Sequence, residues 1–118
     1  MSLRTRILRL GAGVFAAILL LSILRLPRVL NDDALMGAAQ TGDSDELRVA
    51  LANGSDPNYT LECDFTPLMM AASNGHDEAV RILLQSGARP SLKNCEGQTA
   101  YDMAGNYKIK KLLSRMAR

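Results

Sequence analysis

Residues 33 positions apart repeat one another along most of this chain. Ala38, Ala71 and Ala104 are in step, as are Gly42 with Gly75, Gly54 with Gly87, Pro57 with Pro90 and Thr66 with Thr99. Asp33 falls one period before Thr66, and Leu51 one before Leu84. A period in the range of about 20–50 residues constrains a fold more than any composition does. Such a chain stacks copies of one supersecondary unit, and each copy buries its apolar face only against its neighbours.

The repeated positions have mechanical reasons. Asp33, Thr66 and Thr99 are expected N-caps, whose side-chain oxygens accept from otherwise unpaired helix amides. Pro67 follows Thr66 at the first helical position, where a missing N–H does no harm. The pairs Ala38-Ala39 and Ala71-Ala72 are small enough to let a short inner helix pack closely. Gly42 and Gly75 then turn the chain. A longer outer helix follows in "DSDELRVALANG" and "HDEAVRILLQSG". Leu47 with Leu51, and Val80 with Leu84, are i,i+4 pairs on its apolar face. Acids sit early in both outer helices, as the helix dipole prefers. Gly54 and Gly87 end them, and Pro57 and Pro90 force an extended exit.

The segment "TPLMMAASNGHDEAVRILLQSGA" resembles an ankyrin repeat, with "DDALMGAAQTGDSDELRVALANGSDPN" similar to a degenerate copy before it and "EGQTAYDMAGNYKIKKLL" to a closing copy. The resemblance covers about residues 32–113. It implies an all-α ankyrin-repeat solenoid of helix-turn-helix units joined by β-turn fingers. Repeats are expected at about 32–60, 61–93 and 94–118, within a domain spanning 29–118. Three departures stand out. Met69 replaces the motif histidine. Asp64 replaces the turn glycine before Thr66, whereas Gly97 is present before Thr99. The last repeat is about three residues short between Ala104 and Ile109, and its Lys-rich outer helix suits a water-facing terminal cap.

The head, residues 1–28, is different. Leu10–Leu24 is free of charge, and Ile7–Leu26 gives twenty residues with Arg9 and Arg25 near the ends. The uncharged part alone would span about 22 Å as a helix, against a hydrocarbon core of roughly 30 Å. With both arginines snorkelling, the longer segment is expected to cross the bilayer as a single transmembrane helix. A cleaved signal peptide would need small residues at a cleavage site, and "RLPRVLNDD" has none. An uncleaved signal anchor is therefore expected. Arg4, Arg6 and Arg9 before the span, against Arg25 and Arg28 after it, place the body outside the cytoplasm by the positive-inside rule. The expected location is the bacterial inner membrane with the body in the periplasm. A cytosol-facing adaptor or inhibitor is the alternative.

The net charge of +2 hides a segregation. Residues 1–31 carry five arginines and no acid, residues 32–107 carry twelve acids against four bases, and five bases lie from Lys108 onward. This is not the basic face of a nucleic-acid binder. It points to a protein partner with a basic surface and salt-sensitive association, alongside contact with the lipid bilayer through the N-terminal helix.

No GxSxG, phosphate loop, HExxH or glycine-rich dinucleotide turn is present, so no enzyme, cofactor or small-molecule substrate is expected. The single histidine, His76, matches a structural position of the repeat and rules out the usual multi-histidine metal sites. By resemblance, partners contact the finger tips and exposed inner-helix residues. Carried onto this chain, the candidate protein-binding residues are Tyr59, Glu62, Phe65, Ser73, Asn74, Lys93, Glu96, Gln98, Asn106 and Tyr107. Phe65 has two readings: an exposed anchor, or a ring folded back on the neighbouring finger. Cys63 and Cys95 lie in adjacent fingers, which stacking sets roughly 10 Å apart, beyond the ~7 Å Cα limit of a disulfide. A bridge between them would need a distorted finger.

Overall fold

A computed structural model describes residues 31–116. The expected membrane anchor, residues 1–28, lies outside the described residues. Among the described residues every regular element is helical, and no helix is long and apolar enough to cross a membrane.

Three helical pairs follow one another. The first is α1 (residues 31–41) and α2 (Ser44–Ala52). The second is α3 (Pro67–Ser73) and α4 (Asp77–Gln85), and the third α5 (Ala100–Met103) and α6 (Tyr107–Met116). The inner helices α3 and α5 pack on each other, the outer helices α2, α4 and α6 pack in sequence, and α3 closes on α4 and α5 on α6. One continuous core results, with Leu35, Leu47, Leu68, Met69, Val80, Leu83, Ile109 and Leu113 all at 0–1% exposure. Ala38, Ala39, Ala71 and Ala72 are buried between them, which is the close approach their size permits.

The caps follow the sequence with one correction. Thr66 accepts from the Met69 amide through Oγ1 at 3.2 Å. Thr99 and Asp102 form a reciprocal capping box, which starts a helix of only four residues. Asp43 Oδ1 accepts from the amides of Asp45 and Glu46. Asp33, expected as the cap of the first repeat, instead sits inside α1, which is already helical at residue 31. No proline follows Asp33 as Pro67 follows Thr66, so nothing starts the helix there. Its neighbour Asp32 accepts from the Asp56 amide at 2.9 Å and ties α1 to the loop after α2.

Polar contacts hold the pairs in register. The Asn58 side chain accepts from the Arg89 amide at 2.8 Å and donates to the Gly87 carbonyl at 3.1 Å, joining the first two loops. His76 Nε2 lies 2.9 Å from the Gln40 carbonyl oxygen. A carbonyl only accepts, so the ring carries its proton on Nε2. The structural role expected of His76 is thus a link between repeats. The shortened third repeat docks through the Gly105 amide, which donates to the Ala72 carbonyl at 3.3 Å. Arg48–Glu78, exposed, and Lys108–Asp77, whose carboxylate is half-buried, are ion pairs between successive outer helices; largely solvated pairs contribute about 0–1 kcal/mol each.

Candidate functional site

The fingers differ more than the sequence suggests, and the difference builds the site. The finger between α4 and α5 turns on Asn94, which is 5% exposed. Its Oδ1 accepts from the amides of Glu96 and Gln98 at 3.0 and 2.9 Å, and its own amide donates to the Gln98 carbonyl. Gly97 completes the turn at φ +77°. One period earlier, Leu61 stands where Asn94 does and Asp64 where Gly97 does. The preceding finger therefore has no side chain bracing it from within. It is a short 3-10 turn over Glu62–Asp64, closed by one backbone bond from the Leu61 amide to the Phe65 carbonyl.

Two adjacent non-glycine residues of that finger, Cys63 and Asp64, adopt left-handed backbone angles with φ of 62° and 57°. Asp tolerates this region, while a Cβ generally costs roughly 1–2 kcal/mol there. The neighbouring finger holds the conformation. Cys95 donates its amide to the Cys63 carbonyl at 3.0 Å, and Cys63 and Cys95 form a disulfide with a Cα separation of 4.9 Å. The expected 10 Å spacing is thus corrected. It assumed equivalent finger positions, but Cys63 and Cys95 are 32 residues apart in a 33-residue period, and Cys63 sits in a left-handed turn rather than a regular one.

Beside this finger lies an apolar groove of about 530 Å³ lined by Leu61, Glu62, Phe65 and Met70. Leu61 is 40% exposed. Phe65 and Met70 are half-buried and rest on the core. Phe65 is thus half-buried, packed against the core while lining the groove. Exposed Glu62, Asp64 and Glu96 make the finger tips acidic, with Lys93 the exposed base of the next finger.

Other candidates have different places. Ser73 and Asn74, exposed at the far end of α3, donate back to the Met70 carbonyl. Gln98 is half-buried, its Oε1 accepting from Asn94 Nδ2. Asn106 caps α6, accepting from the Ile109 amide at 2.8 Å and donating to Asp77 at 3.3 Å. Tyr59 folds onto α1, its hydroxyl 3.5 Å from Asp33; burial, with the Asp33 charge second, raises its pKa. Tyr107 begins α6 and is 78% exposed. Sequence reasoning missed Leu61 and Met70 as groove residues. The signal available was Leu61 facing Asn94 one period on, an apolar residue where the turn needs a polar one.

Two further carboxylates are held charged. Lys108, by hydrogen bond, lowers the Asp77 pKa, with Asn106 assisting. The Thr99 backbone amide, then its hydroxyl, lowers that of Asp102. Both are fixed to helix starts and take no part in the groove. Among the described residues no cluster of His, Cys, Asp and Glu could hold a metal ion.

Three stacked helical pairs with projecting fingers define a helical-repeat protein. Residues 35–117 match the family described as ankyrin repeats (3 copies), and the chain belongs to that family. It is 38% identical over 84 residues to oxysterol-binding protein-related protein 1 of Rattus norvegicus, covering 70% of this chain and 9% of the relative. It is 40% identical over 62 residues to the mitochondrial disaggregase of Bos taurus, covering 52% and 9%. It is 38% identical over 81 residues to the NAD-capped RNA hydrolase NUDT12 of Macaca fascicularis, covering 68% and 18%. The chain spans less than a fifth of the length of these relatives, so their activities do not carry over with the match. The shared part is the repeat, a protein–protein interaction module that is generally non-catalytic.

Proposed function

We propose that this chain is a membrane-tethered ankyrin module that captures a protein partner in the Leu61–Phe65–Met70 groove, with its body outside the cytoplasm. The groove carries the reading. It is a partly exposed apolar surface with an aromatic wall at the base of a finger, the arrangement in which a partner's apolar anchor is desolvated. The acidic finger tips around it favour a partner with a basic surface, and association weakens with salt. Two observations support the location. Ile7–Leu26 has the length and flanking arginines of a signal anchor. The Cys63–Cys95 pairing suits an oxidising compartment, because cytosolic thiols are kept reduced.

The test has two arms. A photoreactive phenylalanine analogue at position 65 is expected to give a discrete adduct in cells, lost on Glu62→Lys with helical content unchanged; undiminished adducts in that variant would refute the groove. Protease added to intact spheroplasts is expected to digest residues 32–118. Protection until lysis would turn the body inward and replace this reading by a cytosol-facing adaptor.

A further inference from the structure

The Cys63–Cys95 bridge stands in for a brace that its finger lacks. Asn94 holds its own finger together through two accepted amide hydrogen bonds. The Cys63 finger has Leu61 in that place and one more left-handed residue to hold. Only the Leu61-to-Phe65 backbone bond closes it from within; the Cys95-to-Cys63 hydrogen bond and the disulfide both come from the next finger. Both cysteines are exposed, so a reductant reaches the bridge without unfolding the stack. The unbraced finger is also the one whose ends, Leu61 and Phe65, form walls of the groove.

We propose that Cys63–Cys95 is a site of thiol–disulfide exchange with a dithiol, and that its oxidation state sets the shape of the groove. The inference rests on the groove being the binding surface. One thiolate of the dithiol attacks a bridge sulfur, the S–S bond breaks, and the other cysteine leaves as a thiolate. The second thiol of the reductant then attacks the mixed disulfide and closes its own. Two electrons pass to the bridge, the dithiol becomes a disulfide, and its two protons end on Cys63 and Cys95. Freed from Cys95, residues 63 and 64 relax out of the left-handed region, and Leu61 and Phe65 move with them. The helices, whose core the bridge does not touch, stay folded.

The experiment uses the full chain in detergent micelles, oxidised, reduced with dithiothreitol and reoxidised. Native-state maleimide labelling is expected to find both thiols after reduction, with helical circular dichroism unchanged. Amide exchange at Leu61 and Cys95 is expected to accelerate by about tenfold or more, while Met69 and Leu83 keep their protection. The methyl resonance of Met70 should shift and that of Met36 should not, and reoxidation should restore both. Thiols that appear only as helix is lost would make the bridge a structural staple and overturn the proposal. So would unchanged exchange at Leu61, or an unmoved Met70 methyl. Cys63→Ser with Cys95→Ser should reproduce the reduced state without dithiothreitol. Should that variant fold poorly, Leu61→Asn gives a second test: it supplies the missing brace and should blunt the response at Phe65, and an undiminished response would refute the argument. Failure of the groove reading looks different, because position 65 would then give no adduct under oxidising conditions while the finger still responded to dithiol.

Discussion

Gly42→Ala tests how the first two repeats are joined. Gly42 has φ +79°, and a Cβ built there would lie 2.5 Å from Nδ1 of His76 and 2.7 Å from its Cγ. Two penalties arise. The left-handed backbone costs about 1–2 kcal/mol once a Cβ is present. The imidazole must also swing away, which breaks its 2.9 Å bond to the Gln40 carbonyl and loses about 1 kcal/mol more. The expected loss is therefore about 2–3 kcal/mol, a large share of the ~4–13 kcal/mol that a stack of this size can hold. Gly54→Ala is the control. Its φ is +93° and nothing lies within 4 Å of the added Cβ, so only the backbone term should appear. Urea unfolding of the full chain, followed by circular dichroism, reads both. Gly42→Ala should exceed Gly54→Ala by about 1 kcal/mol, and Gly42→Ala combined with His76→Ala should be no worse than Gly42→Ala alone. Equal losses in the two glycine variants, or strict additivity with His76→Ala, would refute the argument that the ring fills the space beside Gly42.

Leu83→Ala, at a position with 0% exposure, should lose about 2–5 kcal/mol, whereas Val49→Ala, at 59% exposure, should stay within about 0.5 kcal/mol; equal effects in the same unfolding assay would mean the core is misplaced. Asn94→Ala should lose about 1–3 kcal/mol by stranding the Glu96 and Gln98 amides, with amide exchange rising at those two residues first. The depressed pKa values of Asp77 and Asp102 make a pH prediction. A carboxylate that binds its proton less readily when folded adds stability above its unfolded pKa of about 3.9, and loses it as pH falls through the lower folded value. Thermal unfolding between neutral pH and about pH 2 should therefore fall on the acid side, and less steeply in Asp102→Asn; an identical acid limb would count against the capping box as its cause.

Much of this architecture is legible in spacing alone. Thr66, Thr99, Gly42 and Gly87 name their own roles, because caps and left-handed turns admit few residue types. The i,i+4 pairs Val80–Leu84 and Leu47–Leu51 fall where the period puts them, though Leu51 is only half-buried. The fingers are legible only in part, because a finger's path depends on the next one. Nothing local to Cys63 announces a left-handed backbone, and a 33-residue ruler applied to cysteines 32 apart gives the wrong distance. Asp33 misled for a related reason: being in register with Thr66 does not make it a cap when no proline follows. The groove was half-read, since Glu62 and Phe65 follow from the family's finger positions but Leu61 belongs to the base of the turn. Tyr59 and Asn106 stand among the binding candidates in the sequence, yet both spend polar atoms on neighbouring elements, which only three-dimensional contact reveals.

The bridge also acts as a gauge of length. Repeat proteins gain and lose whole units readily, since any unit can sit on any other. Here the finger before α3 and the finger before α5 are riveted together. A unit inserted between them would carry Cys63 and Cys95 apart by a further ~10 Å, beyond what any disulfide spans. At the far end, Tyr101 occupies the position of buried Leu68 yet is 45% exposed, with the Lys110 ammonium 5.6 Å from its ring. A unit added there would have to bury a phenol and a charge. The chain can thus be shortened or extended at its second junction only by giving up its crosslink, and at its last face only by rewriting two side chains.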